Sequence, residues 1–296
     1  MRIKSPTETI LCNGTTIRTL LDKIKSNRRG RLKRFFNDAN KWQAFVADNE
    51  RLSVEFRASN SYTVSSLDYS SVKDSLINLY KGSYNFEECR YISDIRNIYR
   101  SVRCPYCGQG VCSSLDHYFD KDAFCELSLN VWNLVPSCGD CNFKKLNSKI
   151  NSPTERFLHP FFDEHFIDGS AMRLYFVHVE LFDTPHMFTT TLTPHPDLDD
   201  NIKSIVNWHL RNMEIESRNG LIIREELTYW VNKVRNRIAR LNSEQLVFDF
   251  LQEEYVDEVE FSWRGVVLNS MISNQSNFNT VYLIISNPQF STNPTV

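Results

Sequence analysis

Apolar positions along the chain recur at two spacings. Three-to-four-residue spacing predicts helices over 37–48, where Trp42, Phe45 and Val46 share a face, and near 71–81 and 86–101. The same spacing follows the acidic start at Asp197 to Asp200, with Ile202, Ile205, Val206, Leu210 and Met213 in one stripe, so His209 on that stripe reads as a core histidine. A longer helix is predicted over 221–241 from Leu227, Trp230, Val231, Val234, Ile238 and Leu241, with Lys233, Arg235, Arg237 and Arg240 opposite. An acidic helix around Glu253, Glu254, Asp257, Glu258 and Glu260 and a short one near 262–272 complete the helical set. Alternation at a spacing of two predicts a strand around Leu52, Val54 and Phe56 that leads into a Ser-rich turn before residue 69. It also predicts a hairpin over 172–193 turning at Asp183-Thr184-Pro185, and a β-like Val281 to Ile285. Two short aromatic and branched runs, Leu115 to Phe119 and Trp132 to Pro136, read as strands, and Cys141 to Ile150 as the opening of a helix.

Composition changes this picture little. At 296 residues the chain is long enough to bury a core without disulfides. Its formal net charge of −2 excludes a protein that coats nucleic acid by bulk charge, so any such binding needs a local basic face or a partner. The most basic run is 23–34, which holds seven basic residues, among them Arg28, Arg29 and Arg31, and no acid. It reads either as an element that tracks phosphates or as a solvated face. Arg96, Arg100 and Arg103 either flank a phosphate path or complement a helix C-terminus. No apolar stretch reaches membrane-spanning length and Met1 to Lys4 leads into a polar segment, so a cytoplasmic protein that does not engage a membrane is expected. There is no P-loop, no nucleotide-binding fingerprint and no internal repeat, and the tail from Asn287 is expected to be mobile.

The cysteines carry the strongest signal. Cys104/Cys107 and Cys138/Cys141 form two C-x-x-C pairs on either side of a thirty-residue insert, each at a turn marked by Pro105 and Gly108 or by Gly139. Two such knuckles can present four thiolates to one tetrahedral ion, most plausibly Zn²⁺, in a closed site that shapes the insert and does no chemistry. Cys12, Cys89, Cys112 and Cys125 lack matched spacing and read as reduced thiols.

Inside that frame stand Asp116-His117, Asn133 in Asn133-Leu134-Val135-Pro136-Ser137, and Asn142 followed by Lys144 and Lys145. Over about fifty residues this pattern resembles the HNH endonuclease family, in particular the bacterial branch in which a four-cysteine zinc site knits a ββα-metal unit together. The fold class expected on that resemblance is α+β. An HNH unit over 96–152 would be embedded between a mostly helical N-terminal region over 1–95 and a hairpin and helical region over 153–296. The resemblance implies that Asn133 fixes the loop carrying the base and orients the imidazole. Two letters depart from the family pattern: Asn142 replaces a histidine, and Asp120 stands where the related branch has proline. The second departure implies either a looser turn or an added ligand.

Elementary chemistry gives the other positions their roles. Phosphodiester hydrolysis needs a base to deprotonate water in line with the leaving oxygen and a cation to neutralise the phosphorane. His117 is the residue type suited to accept that proton, while Asp116 and Asn142 offer oxygens that suit Mg²⁺ or Mn²⁺. Lys145, Lys144 and Lys121 are candidate phosphate contacts, and His159 in Leu158-His159-Pro160-Phe161-Phe162 reads as a packing residue. The expected activity is metal-dependent cleavage of nucleic acid, DNA before RNA. Similarity to nuclease subunits of Septu-type and retron-linked antiphage systems implies an ATPase partner. A stand-alone restriction or homing-type nuclease is the rival enzyme, and a zinc-stabilised nucleic-acid-binding or adaptor module is the rival without turnover.

Overall fold

A computed structural model describes residues 4–28, 30–146, 150–182, 187–237, 243–258 and 261–290. The chain is α+β, predominantly helical with two small antiparallel sheets, and divides into two compact units, Ile3–Tyr106 with Gly110–Asp163, and Glu164–Val296 with Cys107–Gln109.

The first unit opens with α1 (Pro6–Thr9), α2 (Ile17–Asn27) and α3 (Gly30–Phe36), packed around the 21-residue α4 (Ala39–Ser59). Asp38 starts α4 by accepting hydrogen bonds from the Asn40 and Lys41 amides, and Asn60 ends it in the left-handed region at φ 54°. Trp42, Phe45, Val46, Asn49, Leu52 and Phe56 bury one stripe of it. The strand expected around Leu52, Val54 and Phe56 is therefore the second half of this helix. Leu52 and Phe56 lie one turn apart and are buried, whereas Val54 is 66% exposed, so the pattern there has the helical period. α5 (Lys73–Lys81) and α6 (Arg90–Tyr99) occupy the two next predicted helical stretches, with a 3₁₀ turn preceding α6.

A two-stranded ladder follows. β1 (Ser114–His117) pairs antiparallel with β2 (Leu134–Ser137), so that Asp116 faces Val135 and His117 faces Leu134. α7 (Gly139–Leu146) begins directly after β2, giving the expected order of strand, strand and helix; residues 147–149 of the predicted helix lie outside the described residues. The loop between the strands is tied to α4 from inside the core, where Asn49 Nδ2 donates to Glu126 O and Asn130 Nδ2 to Asn49 O, at 3.1 and 2.9 Å. At the end of the unit the His-Pro-aromatic segment packs inward. His159 is 1% exposed among Phe56, Tyr118 and Phe162, and Arg156 makes a buried two-point pair with Asp163. His159 is thus the packing residue expected of it.

In the second unit α8 (Glu164–Ile167) precedes the hairpin of β3 (Tyr175–Leu181) and β4 (Phe188–Pro194); its turn at Asp183-Thr184-Pro185 lies outside the described residues. α9 (Asp200–Asn212) is capped by Asp199 and buries His209 completely. α10 (Ile215–Arg235) starts six residues before the predicted helix; Ile238, Arg240 and Leu241 are outside the described residues, as is Glu260 beyond α11 (Glu244–Val256). α12 (Trp263–Ile272) lies against β3 and the 3₁₀ turn Ala171–Leu174 before it, and Gly265 makes room for that turn: a β-carbon there would meet Met172 Sδ at 2.0 Å. The β-like segment at Val281 to Ile285 is instead part of α13 (Gln275–Ser286), whose buried Phe278, Val281, Ile284 and Ile285 follow the helical period. The free edge of β3 is met by side chains in place of a third strand. Val177 N donates to Ser270 Oγ, Val179 N to Asn277 Oδ1, and Asn277 Nδ2 to Val177 O.

Candidate functional site

The four paired cysteines come together. Ligand atoms of Cys104, Cys107, Cys138 and Cys141 lie within 4.8 Å of one another and all four residues are buried. Turns do this: the Cys104 amide donates to Gly110 O, Gly108 takes φ 66°, and the Cys141 amide points at Cys138 Sγ at 3.5 Å. Four thiolates at such separations fit a tetrahedral ion of borderline softness such as Zn²⁺. Cys112 and Cys125 stand outside the group, as their spacing implied.

Of the remaining candidates, β1 and the last turn of α7 bring together Asp116, His117 and Lys145. Asp116 is 3% exposed, and its Oδ2 accepts from Tyr106 Oη at 2.8 Å and pairs with Lys145 Nζ at 3.1 Å. Lys145 also donates to the carbonyls of His117 (2.7 Å) and Tyr118 (2.8 Å). An ammonium has three donors and all three are used, so Lys145 cannot contact phosphate; it crosses from α7 to β1 and holds the strand. That corrects its expected role, because the letter sits at a plausible surface spacing but its side chain is 6% exposed.

His117 Nε2 lies 3.0 Å from Ser128 O, and its ring meets Tyr80 edge-on at 4.3 Å. A carbonyl only accepts, so Nε2 carries the hydrogen and Nδ1 keeps the lone pair. Burial pushes the imidazole pKa down to about 3. The Ser128 bond opposes that shift, and the positive charges of Lys121 and Lys145 add to it. The ring is therefore neutral at pH 7. Asn133, fully buried, clamps the loop after β1: its Oδ1 accepts from Phe119 N at 2.7 Å, and its Nδ2 donates to Phe119 O and Leu127 O.

Asn142 and Lys144 are half-buried on α7, and Lys121 is half-buried beyond β1. Asp120 is a turn residue. Its Oδ1 accepts from Asp122 N, and its carbonyl accepts from Ala123 N and Phe124 N, a firm turn in place of the looser one. The basic run separates by residue. Arg28 is engaged by Glu88 and by Ile24 O and lies over Phe86, so it faces the protein; Arg31 is exposed; Arg29 lies outside the described residues.

For a catalytic divalent ion, Asp116 Oδ1 is left over by the bonds to Tyr106 and Lys145, which use Oδ2, and the Asn142 amide oxygen is the second candidate donor. One carboxylate is a common protein share of a Mg²⁺ site when water and substrate phosphate complete it; here the Lys145 ammonium already neutralises that carboxylate. Tyr106, Tyr80 and Ser128 carry no sequence signal for their roles, which depend on chain segments that meet only in the fold.

No protein-family model, curated protein or solved structure matches this chain.

Proposed function

We propose that the chain is an HNH-type endonuclease that hydrolyses nucleic-acid phosphodiesters, DNA before RNA, with β1, β2 and α7 as its ββα-metal unit. The observation that carries this reading is the 3.0 Å contact between His117 Nε2 and Ser128 O, which assigns the hydrogen to Nε2. A neutral imidazole with Nε2–H spent on Ser128 O has one free lone pair, on Nδ1, for a water proton. Its low proton affinity rises as the phosphodiester anion approaches and the more negative phosphorane forms, because negative charge favours the imidazolium. Asn133 holds the loop on which that geometry depends. Asp116 and Asn142 would hold Mg²⁺ or Mn²⁺, which when bound supplies the charge that stabilises the phosphorane and the leaving oxygen.

The test is cleavage of supercoiled plasmid, linear duplex and RNA with Mg²⁺ or Mn²⁺ by the parent and His117→Ala. The parent should cut DNA, with a loss of about 10²–10⁴-fold in the variant. Equal cutting by both would refute the base assignment. The Lys145–Asp116 pair favours a second reading, a zinc-stabilised nucleic-acid-binding module without turnover, since Asp116 already has a cation. On that reading neither protein cuts and His117→Ala binds as the parent does.

A further inference from the structure

The basic run contains two arginines with a common destination. Among the described residues Arg31 and Arg34 have no hydrogen bond or ion pair, whereas Arg28 is engaged by Glu88. Both line an open cleft of about 470 Å³ whose other walls are Phe35, Ser71 and Val72. Three residues apart on α3, they lie on one face of the helix, where like charges repel unless an anion sits between them. Ser71 adds an exposed hydroxyl.

These groups select one ligand chemistry. A guanidinium fork matches the oxygens of a phosphate, and two forks with a hydroxyl suit one or two adjacent phosphates. Phe35 does not offer a base-stacking platform, because it is 9% exposed and packs on Phe36 and Tyr69. A ligand here is held by its phosphates and its bases are not read. α5 begins immediately after Val72 with no side chain capping its first turn, which adds partial positive charge at that wall; the acid in that turn, Asp74, is exposed.

We propose that the cleft formed by Arg31, Arg34 and Ser71 is a phosphate-binding site that grips the nucleic-acid backbone independently of sequence. The phosphate chemistry stands on the cleft alone; a backbone as occupant rests on the nuclease reading.

The experiment uses the full chain with zinc, as parent, Arg31→Ala/Arg34→Ala and Arg31→Lys/Arg34→Lys. Binding of a labelled 20-base-pair duplex is measured across a salt series, and binding of pyrophosphate by calorimetry. Both arginines are exposed or unpaired, so the unfolding temperature should be unchanged, and a circular-dichroism melt checks it. The alanine pair should bind duplex about 10-fold more weakly at moderate salt, with the slope of log K against log salt reduced by about 2, and should lose pyrophosphate. The lysine pair, which keeps charge but not the fork, should retain most of the salt slope and lose pyrophosphate affinity. Pyrophosphate lost with duplex binding untouched would keep the phosphate site and overturn the backbone as its occupant. Unchanged duplex affinity and slope together with no arginine-dependent pyrophosphate binding would overturn the proposal. Failure of the parent to cut DNA would count against the nuclease reading alone, since neither binding measurement needs turnover.

Discussion

Replacing Lys145 by Met tests whether the ammonium is a structural tie or a surface cation. The side chain is 6% exposed, and its three donors serve Asp116 Oδ2 and the carbonyls of His117 and Tyr118. Methionine keeps most of the volume, so little cavity forms. What it removes is the partner of a carboxylate that is itself 3% exposed. Stripping one member from a buried pair costs about 3–5 kcal/mol, because the charge left behind stays desolvated. Tyr106 Oη still donates to Asp116, which places the expected loss at the lower end, about 3 kcal/mol. For a unit of this size, at about 2–4 °C per kcal/mol, the midpoint should fall by about 6–12 °C. Asp116→Asn in the same background removes the stranded charge and should recover about 1–3 kcal/mol, a coupling measurable as a double-mutant cycle. Thermal and urea unfolding of the zinc-loaded proteins, followed by tryptophan fluorescence, gives all four corners of the cycle. A Lys145→Met midpoint within 2 °C of the parent, or coupling near zero, would show that the pair is solvated and would return Lys145 to the surface as a phosphate contact.

Elemental analysis should find about one tightly held zinc per chain, and Cys138→Ser or prolonged chelation should lower that content and loosen 114–146 in hydrogen exchange; full protection without metal would refute the four-thiolate site. Asn133→Ala removes three buried hydrogen bonds and should cost about 2–4 kcal/mol, read from urea midpoints, with cleavage lost beyond what the stability change explains. Glu126, 4% exposed, has its pKa pushed up to about 6 by burial and by Asp48, against opposing effects of Arg51 and Tyr62. Its folded value lies above its unfolded one, so its contribution is complete below about pH 4.3 and is lost as pH rises through about 6. Glu126→Gln should therefore stabilise by up to about 2 kcal/mol at pH 7–8 and by nothing at pH 4; an equal gain at both values would refute the ionisation argument.

The two C-x-x-C pairs could be read from the sequence because thiolate ligands need only short-range spacing and a turn, and both are written in consecutive letters. The strand, strand, helix order was legible for the same reason. Two segments were misread, around Leu52 to Phe56 and Val281 to Ile285, where apolar letters two apart also sit one turn apart from others and only burial decides the period: Val54 turns out and Leu52 turns in. The orientation of Lys145 was beyond reach, since a lysine in the last turn of a short helix usually faces water. It turns in here because Asp116 and two end-of-strand carbonyls lie beneath it. The partner that removes Arg28 from the basic face, Glu88, is sixty residues away and carries no local mark.

A ladder of four residues per strand is too short to hold its own geometry. The position of His117 therefore depends on bonds from outside the sheet. Lys145 holds its carbonyl from α7, Ser128 holds its Nε2, Asn133 closes the loop behind it, and Tyr80 Oη bonds the Leu115 carbonyl two residues before it. Each bond removes a different freedom of one imidazole. On the nuclease reading, Tyr80→Phe should lose more in rate than in stability, because a displacement of about 1 Å at a base costs about 10²-fold while the single neutral hydrogen bond it removes contributes about 1 kcal/mol to folding. The zinc site has the opposite balance. None of its four cysteines is a partner in the four bonds named above, so metal loss should act on the frame before it acts on the imidazole.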